Sequence, residues 1–172
     1  MKKNEFRVFL SILALIFSLG IFLGGYNLYI KWGLEKPLIK DLSSLSSVQG
    51  VSIEKNDQKY ELKVKLKKVS NIQEQYKEIE KQVKSGLGNK EYELEIVDRR
   101  NDALQLLFNQ LQPTIYEAVA NNRYLWLDEE VARRTAEKKM SYVIFIDEQN
   151  LYLQLMDGNA YLYEVINRAP EK

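Results

Sequence analysis

The chain has 172 residues, 25 basic and 24 acidic side chains, a net charge of +1, and neither cysteine nor histidine. The missing cysteine rules out disulfides, thiolate nucleophiles and cysteine-bound metals, and the missing histidine rules out triad hydrolases and His-bound zinc. A chain so nearly neutral also lacks the field of a dedicated nucleic-acid binder, so no nucleic-acid partner is expected.

The N-terminus predicts a membrane anchor. Residues 1–7 form a basic leader with Lys2, Lys3 and Arg7, and the 23 residues from Val8 to Ile30 carry no charge. As a helix rising ~1.5 Å per residue, such a run reaches about 35 Å, enough for a bilayer. Tyr26, Tyr29 and Trp32 gather at its end as an interfacial belt, and no small-residue cleavage pattern follows, so the expectation is a retained signal anchor in a single-pass cell-membrane protein. Basic residues flank both sides, so the charge rule is tied. The short basic leader favours a cytoplasmic N-terminus and an extracytoplasmic domain. Gly20 with Gly24, and Ala14 with Ser18, form small-xxx-small pairs that allow two helices to approach closely. They are read either as a homo-oligomer contact within the lipid bilayer or as ordinary membrane-helix composition.

Residues 31–50, with Pro37 and a serine-rich stretch, read as a tether. The rest, residues 51–168, reads as one α+β domain in the order ββ-α-β-α-α-βββ. Val51 to Glu54 suits a short strand and Asn56 with Asp57 a turn. Tyr60, Leu62, Val64 and Leu66 then alternate with Glu61, Lys63, Lys65 and Lys67, the pattern of a half-buried strand. Ser70 and Gln73 are spaced as a capping box before the helical stripe Ile72, Tyr76, Ile79, Val83 and Leu87, which stops near Gly86 and Gly88. Tyr92, Leu94 and Ile96 alternate with glutamates in a strand suited to parallel pairing with the lysine-faced one.

Asp102 is expected to cap a helix carrying Leu104, Leu107, Phe108, Leu111 and Ile115, with Pro113 kinking or dividing it. Asp128 is expected to start another. Tyr142 to Ile146, Leu151 to Met156 and Ala160 to Ile166 read as an antiparallel meander with a hairpin at Asp157-Gly158.

No phosphate loop, dinucleotide fingerprint, nucleophile elbow or metal-binding helix motif occurs, so no catalytic residue, metal site or cofactor is expected. The run Asp98 to Asp102 suits either an anion or metal site or a helix cap with solvated neighbours. Arg123, Tyr124, Leu125 and Trp126 are the candidate contact for an unidentified protein partner, because such residues dominate interface hot spots; the alternative is a core plug under a loop. The ββ-α-β segment from Val51 to Val97 resembles, in element order, the small modules that sporulation and secretion ring proteins use for self-association. The expected function is a membrane-tethered, non-enzymatic interaction or assembly module of a bacterial cell envelope. A membrane-anchored ligand-sensing domain is the alternative, and a carboxylate-dependent hydrolase is a third reading.

Overall fold

Alternating apolar and charged residues can hide one face only if the chain is extended, and this pattern organises the first half of the protein. The computed structural model describes residues 3–56 and 59–168, and the side chains of residues 3–6 and 22–32 lie outside the described set. In chain order the elements are α1 (Lys3–Ile30), a π-helical stretch (Lys31–Glu35), α2 (Lys36–Ser43), β1 (Val48–Asn56), β2 (Lys59–Leu66), α3 (Ile72–Leu87), β3 (Tyr92–Val97), α4 (Asp102–Asn121), α5 (Tyr124–Glu137), β4 (Ser141–Ile146), β5 (Asn150–Asp157) and β6 (Ala160–Asn167).

These elements make an α+β fold with two three-stranded sheets, ordered β1-β2-β3 and β4-β5-β6. β2 pairs antiparallel with β1 and parallel with β3, and α3 supplies the crossover that a parallel pair requires. Tyr60, Leu62, Val64 and Leu66 are all buried, as their alternation demands. On the opposite face Lys63 and Glu95 are cross-strand partners with an ion pair at 3.5 Å, and Lys59 reaches Glu93 at 2.7 Å. All four side chains are about half exposed or more, so the pairs contribute little stability. In the second sheet all pairings are antiparallel, and Gly158 takes φ 56° in the β5–β6 turn, a conformation that favours glycine.

Two apolar cores meet at β5. Tyr152 joins β2 and α3 in the first core, whereas Leu151, Leu153 and Leu155 face the second core with α4 and α5. Each fully buried Leu or Val contributes about 1.5–3 kcal/mol relative to exposure, so β5, covered on both faces, ties the halves together. Polar staples supplement the apolar contact. Tyr161 Oη donates to Leu66 O at 2.8 Å, Gln154 Nε2 donates to Val69 O at 2.7 Å, and Tyr163 Oη accepts the Val69 N–H at 2.8 Å. Together they fasten the β2–α3 connection to the second sheet.

Several local expectations shift by a residue or more. Asn71, not Ser70, caps α3 by accepting the Glu74 N–H, and Asn101, not Asp102, caps α4 by accepting the Leu104 N–H. Pro113 lies inside α4, which stays one helix, and α5 starts at Tyr124 rather than Asp128. Residues 36–43 form α2, whose Leu38 and Leu42 are buried in the first core, and β1 begins at Val48. Gly86 is still within α3. A Cβ there would lie 2.9 Å from Leu38 Cδ1, so the missing side chain makes room for α2. The turn expected at Asn56 and Asp57 falls partly outside the described residues.

The membrane anchor is corrected. Among the described residues no helix is long and apolar enough to cross a membrane. The transmembrane helix at 8–30, the single-pass signal-anchor topology and the cell-membrane localisation are therefore not supported. Ala14 and Ser18 are exposed and a Cβ on Gly20 would touch nothing within 4 Å, whereas Gly24 and the aromatic belt at Tyr26, Tyr29 and Trp32 lie outside the described side chains.

Candidate functional site: a cleft between two strand edges

β3 and β6 are each the last strand of their sheet, and they approach one another at one end. The Tyr161 N–H donates to Arg99 O at 3.1 Å in a single antiparallel bridge. One step along, the Tyr163 N–H meets a side chain instead of a strand, donating to Asp98 Oδ2 at 2.8 Å. Beyond this pair the edges diverge around a cleft of about 490 Å³, lined by Leu94, Ile96, Asp98, Arg100, Tyr163 and Val165 among others.

The pairing pattern fixes what the cleft walls present. In an antiparallel ladder the backbone groups of successive residues point to alternate sides. Because Tyr161 bonds away from β5, Tyr163 and Val165 also turn their N–H and C=O outward. On the facing wall Tyr60 N–H bonds to Glu91 O, so Glu93 and Glu95 point toward β2, while Leu94 and Ile96 present their backbone groups to the cleft. Two further recesses of about 470 and 400 Å³ share Val165 with the cleft. One runs under Phe108, Ile115 and Tyr116 of α4, and the other beside Tyr76 and Glu80 of α3. The outer edge of β6 therefore lies in a channel between two helices.

The Asp98 side chain is only 2 % exposed and serves as the latch of this channel. Its Oδ1 accepts from Arg100 N at 3.1 Å and Arg100 Nε at 2.9 Å, and its Oδ2 accepts from Arg100 Nη2 at 2.7 Å as well as from Tyr163 N. Arg100 Nη1 continues to Gln105 Oε1 at 3.1 Å and Glu164 Oε1 at 3.0 Å. Hydrogen bonds to Asp98 hold the Arg100 guanidinium pKa above its usual value, and burial raises that of Glu164 against the opposing pull of Arg100. With about four lone-pair sites in use, the Asp98 carboxylate serves as a structural joint. Two carboxylates and one guanidinium leave this cluster with one negative charge.

A second polar knot sits at the β4–β5 turn. Burial would raise the Asp147 pKa, but the Lys77 ammonium at 2.8 Å, the backbone N–H groups of Asn150 and Gln149, and the Tyr152 hydroxyl hold it well below the usual carboxylate range. Arg168 donates to Asp147 O and stacks on the Tyr124 ring, 4.6 Å from its centroid. Among the described residues no group of three or more Asp or Glu is placed to hold a metal ion.

The structure separates the four residues of the aromatic candidate. Tyr124 and Trp126 pack against the second core, and Arg123 lies over the Trp126 ring at 4.3 Å. Leu125 points outward, 85 % exposed. The run Asp98 to Asp102 divides as well, because Asp98 and Arg100 enter the latch while Asn101 caps α4. From sequence, the meander tyrosines Tyr142, Tyr152, Tyr161 and Tyr163 suit either a ligand groove or ordinary core and cross-strand packing, the latter being preferred, and neither reading places a site on the outer edge of β6. The available signal was its position as the last strand of a meander, which leaves one edge without a sequential neighbour.

The fold and site define an α+β protein whose two sheets meet at an incompletely paired seam. Comparison with protein-family models, curated proteins and solved structures finds no match.

Proposed function

We propose that this chain is a non-catalytic interaction module that engages a protein partner along the outer edge of β6. The observation that carries the reading is the outward backbone of Val165, set between α3 and α4 in recesses that the described residues leave open. An outer strand edge is a template for pairing with another chain, and natural proteins commonly cover or distort such edges. β1 carries a register irregularity between Val48 and Gly50, a device that discourages edge pairing, whereas β6 pairs regularly with β5 from end to end.

The ligand-sensing alternative draws on the cleft volume, which falls in the range of small-molecule sites at about 300–1,000 Å³. Its charged lining argues against it, since such pockets are lined mainly by apolar groups.

Site-specific photo-crosslinking tests the proposal on the full chain. A crosslinker replacing exposed Tyr116, beside the β6 channel, should capture a discrete partner in the cell of origin, whereas one at exposed Lys65 should not. Equal or no capture at the two positions would remove the reading.

A further inference from the structure

We infer that the occupant of the β6 channel is an extended peptide segment, apolar on one face and lysine- or arginine-bearing on the other; this rests on the interaction reading and names the partner's chemistry. Three features point to it.

The first is backbone geometry. Val165 presents N–H and C=O away from β5, and an added strand would satisfy both while its side chains alternate to either side of the sheet. The second is the difference between the channel walls. Phe108, Ile115 and Tyr116 of α4, with Ile166, give one wall apolar groups beside Gln112 and Glu164, whereas Tyr76, Glu80, Gln149 and Asn150 form a polar one. An extended segment matches such a pair of walls because its alternate residues face opposite ways, whereas a helix presents each face at a different period.

The third is charge. The three recesses are lined by Glu80, Glu93, Glu95, Asp98 and Glu164 against Arg100 alone. The Lys84, Lys59 and Lys63 side chains that pair with Glu80, Glu93 and Glu95 are themselves about half exposed, and so readily exchanged for a partner's cation. The Asp98–Arg100–Glu164 cluster keeps its single negative charge within the cleft. An anionic segment would meet repulsion from both sources.

Fluorescence anisotropy with the full chain and three synthetic peptides tests the inference. One alternates valine and lysine, one alternates valine and glutamate, and the third is the lysine peptide with every second backbone nitrogen methylated. The lysine peptide should bind about tenfold or more tightly than either of the others, since charge reversal and loss of strand hydrogen bonds each remove recognition. Tyr116→Glu, at a side chain 61 % exposed, should weaken that binding without altering the fold, and the Val165 amide should gain protection from hydrogen exchange. Equal binding of both charges, indifference to methylation, or no binding by any peptide would each overturn the inference. If the peptides fail while Tyr116 still crosslinks a partner, only the extended basic occupant is refuted and the interaction reading stands; failure of both removes both.

Discussion

The Asp98 carboxylate takes the place of a strand beside Tyr163: its Oδ2 accepts the Tyr163 backbone N–H at 2.8 Å, where β3 and β6 would otherwise need a ladder bond. The same oxygen accepts from Arg100, so one buried carboxylate joins the two sheets and also orients the guanidinium that reaches Glu164.

Replacing Asp98 should therefore cost more than a surface charge would. Asp98→Ala leaves the Tyr163 N–H and most of the Arg100 fork without acceptors, and breaking a buried pair in this way costs about 3 kcal/mol or more. Urea unfolding of the full chain measures it. A loss below about 1 kcal/mol, the range of exposed pairs, would show that the seam is held by apolar contact alone.

Tyr163 fastens the opposite side of the seam. Burial pushes its hydroxyl pKa up to about 12, so it stays protonated at neutral pH while accepting the Val69 N–H. Tyr163→Phe should destabilise by about 1–3 kcal/mol through that unpaired N–H. Hydrogen exchange at Val69 should accelerate locally in the same variant.

Asp147 sets the acid limb of stability. Its pKa in the folded chain lies below the ordinary value near 3.9, so its contribution is present above about pH 4 and is lost as pH falls through the folded value. Glu164 acts oppositely: its folded pKa is raised, so its contribution is full below about pH 4.3 and is lost as pH rises through the folded value. Asp147→Asn should flatten the loss of stability below about pH 4 in urea titrations, and Glu164→Gln should leave that limb steep. The reverse pattern would contradict the assigned environments.

The two leucines near the start of α5 make a paired comparison. Leu125 is 85 % exposed and Leu127 is fully buried in the second core. Leu125→Ser should change stability by no more than about 0.5 kcal/mol, and Leu127→Ala should cost about 2–5 kcal/mol. Thermal or urea unfolding of both variants reads the difference directly.

Much of the fold was legible because local chemistry and tertiary structure agree. Tyr60 to Leu66 could bury a face only as a strand, the stripe from Ile72 to Leu87 only as a helix, and Asp157-Gly158 favours the turn it makes. The N-terminal expectation rested on the length of an apolar run, whereas among the described residues no helix is long and apolar enough to cross a membrane. Caps moved by one residue at Asn71 and Asn101 because a neighbouring side chain can make the same hydrogen bond, and only backbone direction chooses between them.

The sequence by itself determined the α+β class, the faces of most strands and helices, and the absence of cysteine and histidine chemistry, because these follow from residue type and short-range periodicity. The tertiary structure alone decided that Asp98 meets Tyr163, that Leu38 fits against Gly86, and that the outer edge of β6 lies between α3 and α4. Each depends on segments distant along the chain being brought together by packing, and residue spacing carries no record of which faces will meet.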